Sequence, residues 1–208
     1  MDERGSRALS ALPRIFAKSL GLMAILVVVT GCSLFRGPPP MTFDLTGPES
    51  VKAGGGTAAQ ILIPEPVALQ VLDSQRIVVS KGDKITYYPD AQWPDRLPKL
   101  LQSRTIEAFE RSHKVRAVGR PGQGLSIDYQ VVTEIRSFEY RVTGDKGYAH
   151  VEIAAKIMDD RTGRVISNRV FTGEAPVEKD NAASVVSGLN SAISQVLVNI
   201  VRWTVTRI

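Results

Sequence analysis

From Leu125 to Ala175 the chain has no proline, and through most of that run apolar residues return at every second position. This is the spacing of pleated strands with one buried face, because successive strand side chains point to opposite sides. Ile127, Tyr129 and Val131 share one face, while Phe138, Tyr140 and Val142 share a face of opposite parity. A strand cannot change parity without an extra residue, so a bulge or break is predicted between 132 and 137, curving the sheet. Thr143-Gly144-Asp145-Lys146-Gly147 reads as a turn, Tyr148 to Ile157 alternates again, and Asp159-Asp160-Arg161-Thr162-Gly163 turns into a strand from Arg164 to Thr172. Short polar links of this kind predict an antiparallel meander.

Such a sheet needs apolar cover, and two segments have the helical period to supply it. From about Asn181 to Val205, Val185, Leu189, Ile193, Val196, Ile200 and Trp203 draw one stripe, with Ser184, Ser191, Gln195 and Asn199 elsewhere. A second helix is predicted from Asp95, as its cap, to about Ser112, with Leu97, Leu101, Thr105 and Ala108 or Phe109 on one side. Pro98 fits there only in the first turn, where its missing N–H costs nothing. Ahead of that helix, Met41 to Leu45 and Ile61 to Ile63 read as strands. Arg76 to Val79 and Ile85 to Tyr88 form a hairpin turned at Lys81-Gly82-Asp83, with Pro89 ending it. Residues 47 to 59 are a loop. Its Gly54-Gly55-Gly56 lacks the following Gly-Lys-Ser/Thr of a phosphate cradle. The predicted class is α+β: an antiparallel sheet, made of the meander plus N-terminal strands, packed against two amphipathic helices.

The total of 208 residues suits one domain with appendages. The front is basic through Lys18 and then apolar from Ser19 to Val29, a run too short for a transmembrane helix of about 20 residues and fitting a secretory signal. It ends Val29-Thr30-Gly31-Cys32, which resembles the bacterial lipobox: an aliphatic residue, two small residues that let an extended backbone enter a protease, then the thiol that receives diacylglyceryl. Two or more acyl chains on Cys32 would anchor the protein stably, at about 0.8 kcal/mol per buried methylene. The predicted organisation is an export signal over 1–31, a lipidated Cys32 with a Pro-rich tether over 32–40, and a single domain over 41–208. Asp in the second mature position favours retention in the inner membrane of bacteria. Ser33 stands there, which points to the outer membrane, on its periplasmic side.

Charge and composition exclude several functions. The formal charge is +5, of which residues 1–31 contribute four bases and two acids, leaving only +3 for the remainder. That is no field for nucleic acid, which calls for a basic stripe. With one cysteine no internal disulfide forms. His113 and His150 have no second His, Cys or carboxylate at ligand spacing in the sequence, no Gly-x-Ser-x-Gly elbow occurs, and Asp159-Asp160 falls short of a calcium loop. The expectation is a non-enzyme with no catalytic, metal or cofactor site.

With this pattern laid out, the chain resembles the ABC-type transport auxiliary lipoprotein family, lipoproteins that accompany MCE-domain lipid transporters of the Mla and Pqi type. The resemblance rests on Met41 to Leu45, Ile61 to Pro66, Arg76 to Val79, the run Tyr87 to Gln102 with its aromatics, Trp93 and leucines, Ile135 to Glu139, Arg169-Val170-Phe171 and the C-terminal helix, in that order. It implies an α+β domain anchored to the membrane by lipid, an MCE-domain transporter subunit as partner, and homo-oligomers in some members. On that reading Trp93 is an interface anchor, beside its plainer role as a core residue at the mouth of a helix. Tyr87 and Tyr88 split in the same way, since alternation puts one inside and one outside. A structural envelope lipoprotein that helps assemble an outer-membrane protein or scaffold stays open as the alternative.

Overall fold

A computed structural model of the chain describes residues 39–144 and 146–208. The export signal, Cys32 and most of the tether lie outside the described residues. Three long strands form the predicted meander: β7 (Tyr129–Thr143), β8 (Lys146–Asp159) and β9 (Val165–Val177), each antiparallel to the next. The parity change in β7 is met by a register shift between Ile135 and Ser137. Val131 and Ile135 before the shift therefore face the core together with Phe138 and Tyr140 after it.

The N-terminal strands are short. They are β1 (Met41–Thr42), β2 (Gln60–Leu62), β3 (Val67–Ala68), β4 (Arg76–Lys81), β5 (Lys84–Gln92) and, after the first helix, β6 (Ala117–Gly119). β4 and β5 make the expected antiparallel hairpin, but β2, β3 and β4 line up along β7 in parallel, and β1 runs parallel to β5. The nine-stranded sheet is thus mixed, with an antiparallel body and parallel additions. Pro89 does not end β5, which continues to Gln92. The proline falls where the β4 register is irregular, and Asp90 there has φ 51°. A residue without an N–H is tolerated at such a bulge because no ladder bond is required of it.

Helices α1 (Leu97–Ser112) and α2 (Ala182–Val205) carry the predicted buried faces, with Leu97, Leu101, Thr105, Ala108 and Phe109 on α1 and the whole Val185 to Trp203 stripe on α2 buried. Asp95 is not the cap of α1. Arg96 holds that position without a side-chain bond to the helix. The Asp95 carboxylate accepts the Arg96 N–H at 2.8 Å and pairs with Lys99 at 2.6 Å. Those bonds, Lys99 first, hold its carboxyl below the usual range. α2 is capped properly, since the Asn181 side chain accepts the Ser184 N–H at 2.9 Å. Asn181→Ala is expected to cost about 1 kcal/mol, read as a lower denaturant midpoint with unchanged slope.

Two edge-on aromatic pairs lie in the core. Trp93 meets Phe138 at 6.1 Å between centroids, and Trp203 of α2 meets Phe171 of β9 at 5.4 Å. Between them β9 touches α2 directly at Gly173, where a Cβ would fall 2.3 Å from the Ala192 carbonyl oxygen.

Candidate interaction surface

Among the described residues most of the core lies on one face of the sheet, that of Ile135, Phe138, Ile153 and Phe171, against which α2 packs, while Val78, Ser80 and His150 are buried on the other. No described helix covers the other face. The strand register assembles that face row by row. Tyr87, Val78, Glu139, His150 and Glu174 stand opposite one another across β5, β4, β7, β8 and β9. In the adjoining row are Ile85, Ser80, Arg141, Tyr148 and Pro176.

The aromatics here are paired with guanidinium groups. Arg76 lies 4.5 Å from the centroid of the Tyr87 ring, and Arg141 lies 5.9 Å from that of Tyr148. Burial works against the Arg141 charge, but Glu139, which accepts its Nε–H at 2.9 Å, and Tyr148 outweigh it and raise its pKa. Ile85 is 58% exposed and Tyr87 37%. Exposed apolar groups beside stacked Arg–Tyr pairs are the composition of a protein-binding patch, since aromatic residues and Arg are enriched at interfaces. His150 is buried, and its Nδ1 lies 2.8 Å from Glu174 Oε1. The cross-strand carboxylates Glu139 and Glu174 are partners the linear sequence did not disclose, because they become neighbours only through register.

The three aromatic candidates separate cleanly. Trp93 is 1% exposed and packed on Phe138, so it belongs to the core and cannot touch a partner while the domain is folded. Tyr88 points to the covered face, where its ring lies 6.4 Å from that of Tyr140 and its hydroxyl donates to Asp180 at 3.1 Å. Tyr87 faces outward. Cys32 lies outside the described residues. Sequence reading missed Arg76, Ile85, Arg141 and Tyr148. The alternation Arg76-x-Val78-x-Ser80 against Ile85-x-Tyr87 is the one signal that could have found the first two.

Tyr88 also supplies a pH test. Burial, and then the Asp180 carboxylate, push its hydroxyl from 10.0 up to about 12. The unfolded chain loses this proton first as pH rises, so folding stability is expected to be level below pH 10 and to fall between 10 and about 12. Comparing denaturant midpoints of wild type and Tyr88→Phe across that range isolates the step, which the variant should reduce.

A second polar cleft lies between the loop after β1, α1 and α2, lined by Asp44, Gly47, Arg104, Glu107, Arg111 and Asn190. Its cations are already engaged. Arg104 donates to the Leu45 carbonyl, to Glu107 at 2.6 Å and to Asp44 at 3.0 Å, and Arg111 donates to the Pro48 carbonyl at 2.6 Å. The cleft therefore fastens the 44–50 segment to the helices. Asp159 is likewise occupied, accepting from the Thr162 N–H and hydroxyl at 2.7 Å within its turn.

The fold is α+β, with an open mixed sheet that the helices cover on one face. The chain belongs to the family of ABC-type transport auxiliary lipoprotein components, matching it over residues 43–201. It is 29% identical over 197 residues to the uncharacterized protein bll6063 of Bradyrhizobium diazoefficiens, an alignment that takes in 93% of this chain and 52% of that one. The chain thus spans about half the length of this curated relative. Among solved structures it is similar to protein XCC0632 of Xanthomonas campestris, with 27% identity, a TM-score of 0.75 and coverage of 80% and 95% of the two chains. An uncharacterized protein at 15% identity, TM-score 0.63 and coverage of 80% and 99%, shares the fold.

Proposed function

We propose that this chain is a non-catalytic auxiliary subunit of an ABC-type system that moves lipid between membranes. It is anchored through a lipidated Cys32 in the periplasmic leaflet of the outer membrane and docks on an MCE-domain subunit of the transporter. The observation that carries the reading is the family match across 43–201, nearly the whole of the described domain. The uncovered sheet face supports it, since Arg76, Ile85, Tyr87, Arg141 and Tyr148 offer a partner the stacked and apolar groups that anchor interfaces. The lipobox at Val29 to Cys32 supports the anchorage.

Affinity capture of the full chain from native envelope membranes tests the proposal. ATPase, permease and MCE components should be recovered with it, whereas recovery with outer-membrane assembly factors and no transporter component would favour the scaffold reading instead. Cys32→Ala is expected to abolish incorporation of labelled fatty acid and to release the protein from the membrane fraction. Continued labelling would refute the lipobox assignment.

A further inference from the structure

Where β9 begins and α2 finishes there is a cleft of about 440 Å³, lined by Arg169, Val170 and Phe171 of the strand and by Arg202, Trp203 and Arg207 at the end of the helix. Its floor is aromatic, since Phe171 and Trp203 are both nearly buried and touch edge-on at 5.4 Å. The Arg169 guanidinium stacks over the Phe171 ring, 5.2 Å from its centroid, which steadies the group and leaves its N–H edges open. Val170, 43% exposed, adds an apolar rim.

Among the described residues this charge is unmatched: none of the three arginines forms an ion pair, and no carboxylate lines the cleft. Glu174, the acid closest along β9, has the opposite parity to Arg169 and lies against His150 on the other face. The turn before β9 adds Arg161 and Arg164, while its acids are engaged, Asp159 by Thr162 and Asp160 by Gln130. Arginines at a helix C-terminus often complement its carbonyls. Here other groups do that. The Thr206 N–H and hydroxyl donate to the Arg202 and Trp203 carbonyls at 3.3 and 2.9 Å, and the Arg207 N–H donates to the Thr204 carbonyl at 2.9 Å. Arg202 gives its Nε–H to the Lys52 carbonyl at 2.7 Å, which pins the guanidinium and leaves its terminal nitrogens without a partner among the described residues. A helix end presents about half a negative charge, too little to balance three guanidinium groups.

Guanidinium groups gathered over an aromatic floor fit an anion with more acceptor oxygens than a carboxylate has, each group binding it bidentately. We propose that this cleft is a binding site for a phosphate group. The chemistry is shared by a phospholipid headgroup and a free phosphate compound, and the apolar rim at Val170 favours a phosphate carried on an apolar body. The inference rests neither on the transport reading nor on the uncovered sheet face.

Isothermal titration calorimetry on the full lipidated chain in nonionic detergent tests it with dihexanoyl phosphatidylglycerol, with dihexanoylglycerol as the same apolar body without phosphate, and with inorganic phosphate. The phosphatidylglycerol is expected to bind one to one, with an affinity that falls as salt is added. Arg169→Gln with Arg207→Gln should weaken it by about tenfold or more. Lys81→Gln with Lys84→Gln, which removes the same charge at the β4–β5 hairpin, should leave it unchanged. The arginine variant should keep the wild-type circular-dichroism melt, because neither guanidinium is hydrogen-bonded to the rest of the described domain. Tighter binding of the lipid than of inorganic phosphate assigns the site to an amphiphile's headgroup, and equal or tighter binding of inorganic phosphate assigns it to a free phosphate compound. Dihexanoylglycerol binding as tightly as the phosphatidylglycerol, no binding of either phosphate probe, or an affinity untouched by Arg169→Gln with Arg207→Gln overturns the inference.

Discussion

Gly173→Ala is expected to destabilise the domain by about 3 kcal/mol, near the upper end of what overpacking costs. Glycine inside a strand ordinarily weakens it, since it packs nothing and loses most conformational entropy. Here the absence of a side chain is what allows β9 to lie against α2. A methyl group would stand 2.3 Å from the Ala192 carbonyl oxygen and 3.0 Å from a Val196 methyl, and neither the helix backbone nor the strand can yield without opening the seam. The Phe171–Trp203 contact lies along the same seam. For a domain of this size the loss corresponds to a fall in melting temperature of roughly 6–12 °C. Gly54→Ala, where nothing lies within 4 Å, is the control and should change little.

Trp93→Ala is expected to cost about 3–5 kcal/mol, the range for emptying a buried aromatic site. The ring is 1% exposed, meets Phe138 edge-on, and its backbone N–H donates to the Gln75 carbonyl at 2.8 Å, fixing the start of α1 to the loop before β4. Tyr87→Ala on the uncovered face should change stability by less than about 1 kcal/mol and, under the proposed function, lower recovery of the MCE-domain subunit. Denaturation midpoints and capture yields measured on both variants separate the two roles. If Trp93→Ala kept its stability, the core assignment would fail.

The contrast between these two residues shows what was legible in the sequence. Period-two alternation revealed β7, β8 and β9 and a parity break between 132 and 137, which the structure locates at Ile135 to Ser137, because a strand with one buried face leaves that mark locally. The α1 and α2 stripes were legible for the same reason. Tyr87 and Tyr88 were separable as neighbours on opposite faces. The parallel seating of β2, β3 and β4 along β7 was not, since contacts such as Val78 to Glu139 join residues about sixty apart, and nothing in two or three residues announces a distant partner. The cross-strand placing of His150 beside Glu174 was hidden likewise. Pro89 misled because a proline excludes only a regular ladder position, and β5 is irregular where it falls. Asp95 has the side chain of a cap but lies one residue too early, and its carboxylate turns to Lys99.

The most direct measurement is site-specific photocrosslinking in intact cells, with a photoreactive residue at Tyr87 or Ile85 on the uncovered face and, for comparison, at Asp44 in the self-occupied cleft. If the chain serves a transporter through the uncovered face, the first two positions yield adducts containing an MCE-domain subunit and Asp44 does not. Adducts from Asp44 alone, or no transporter adduct from any of the three, would contradict it.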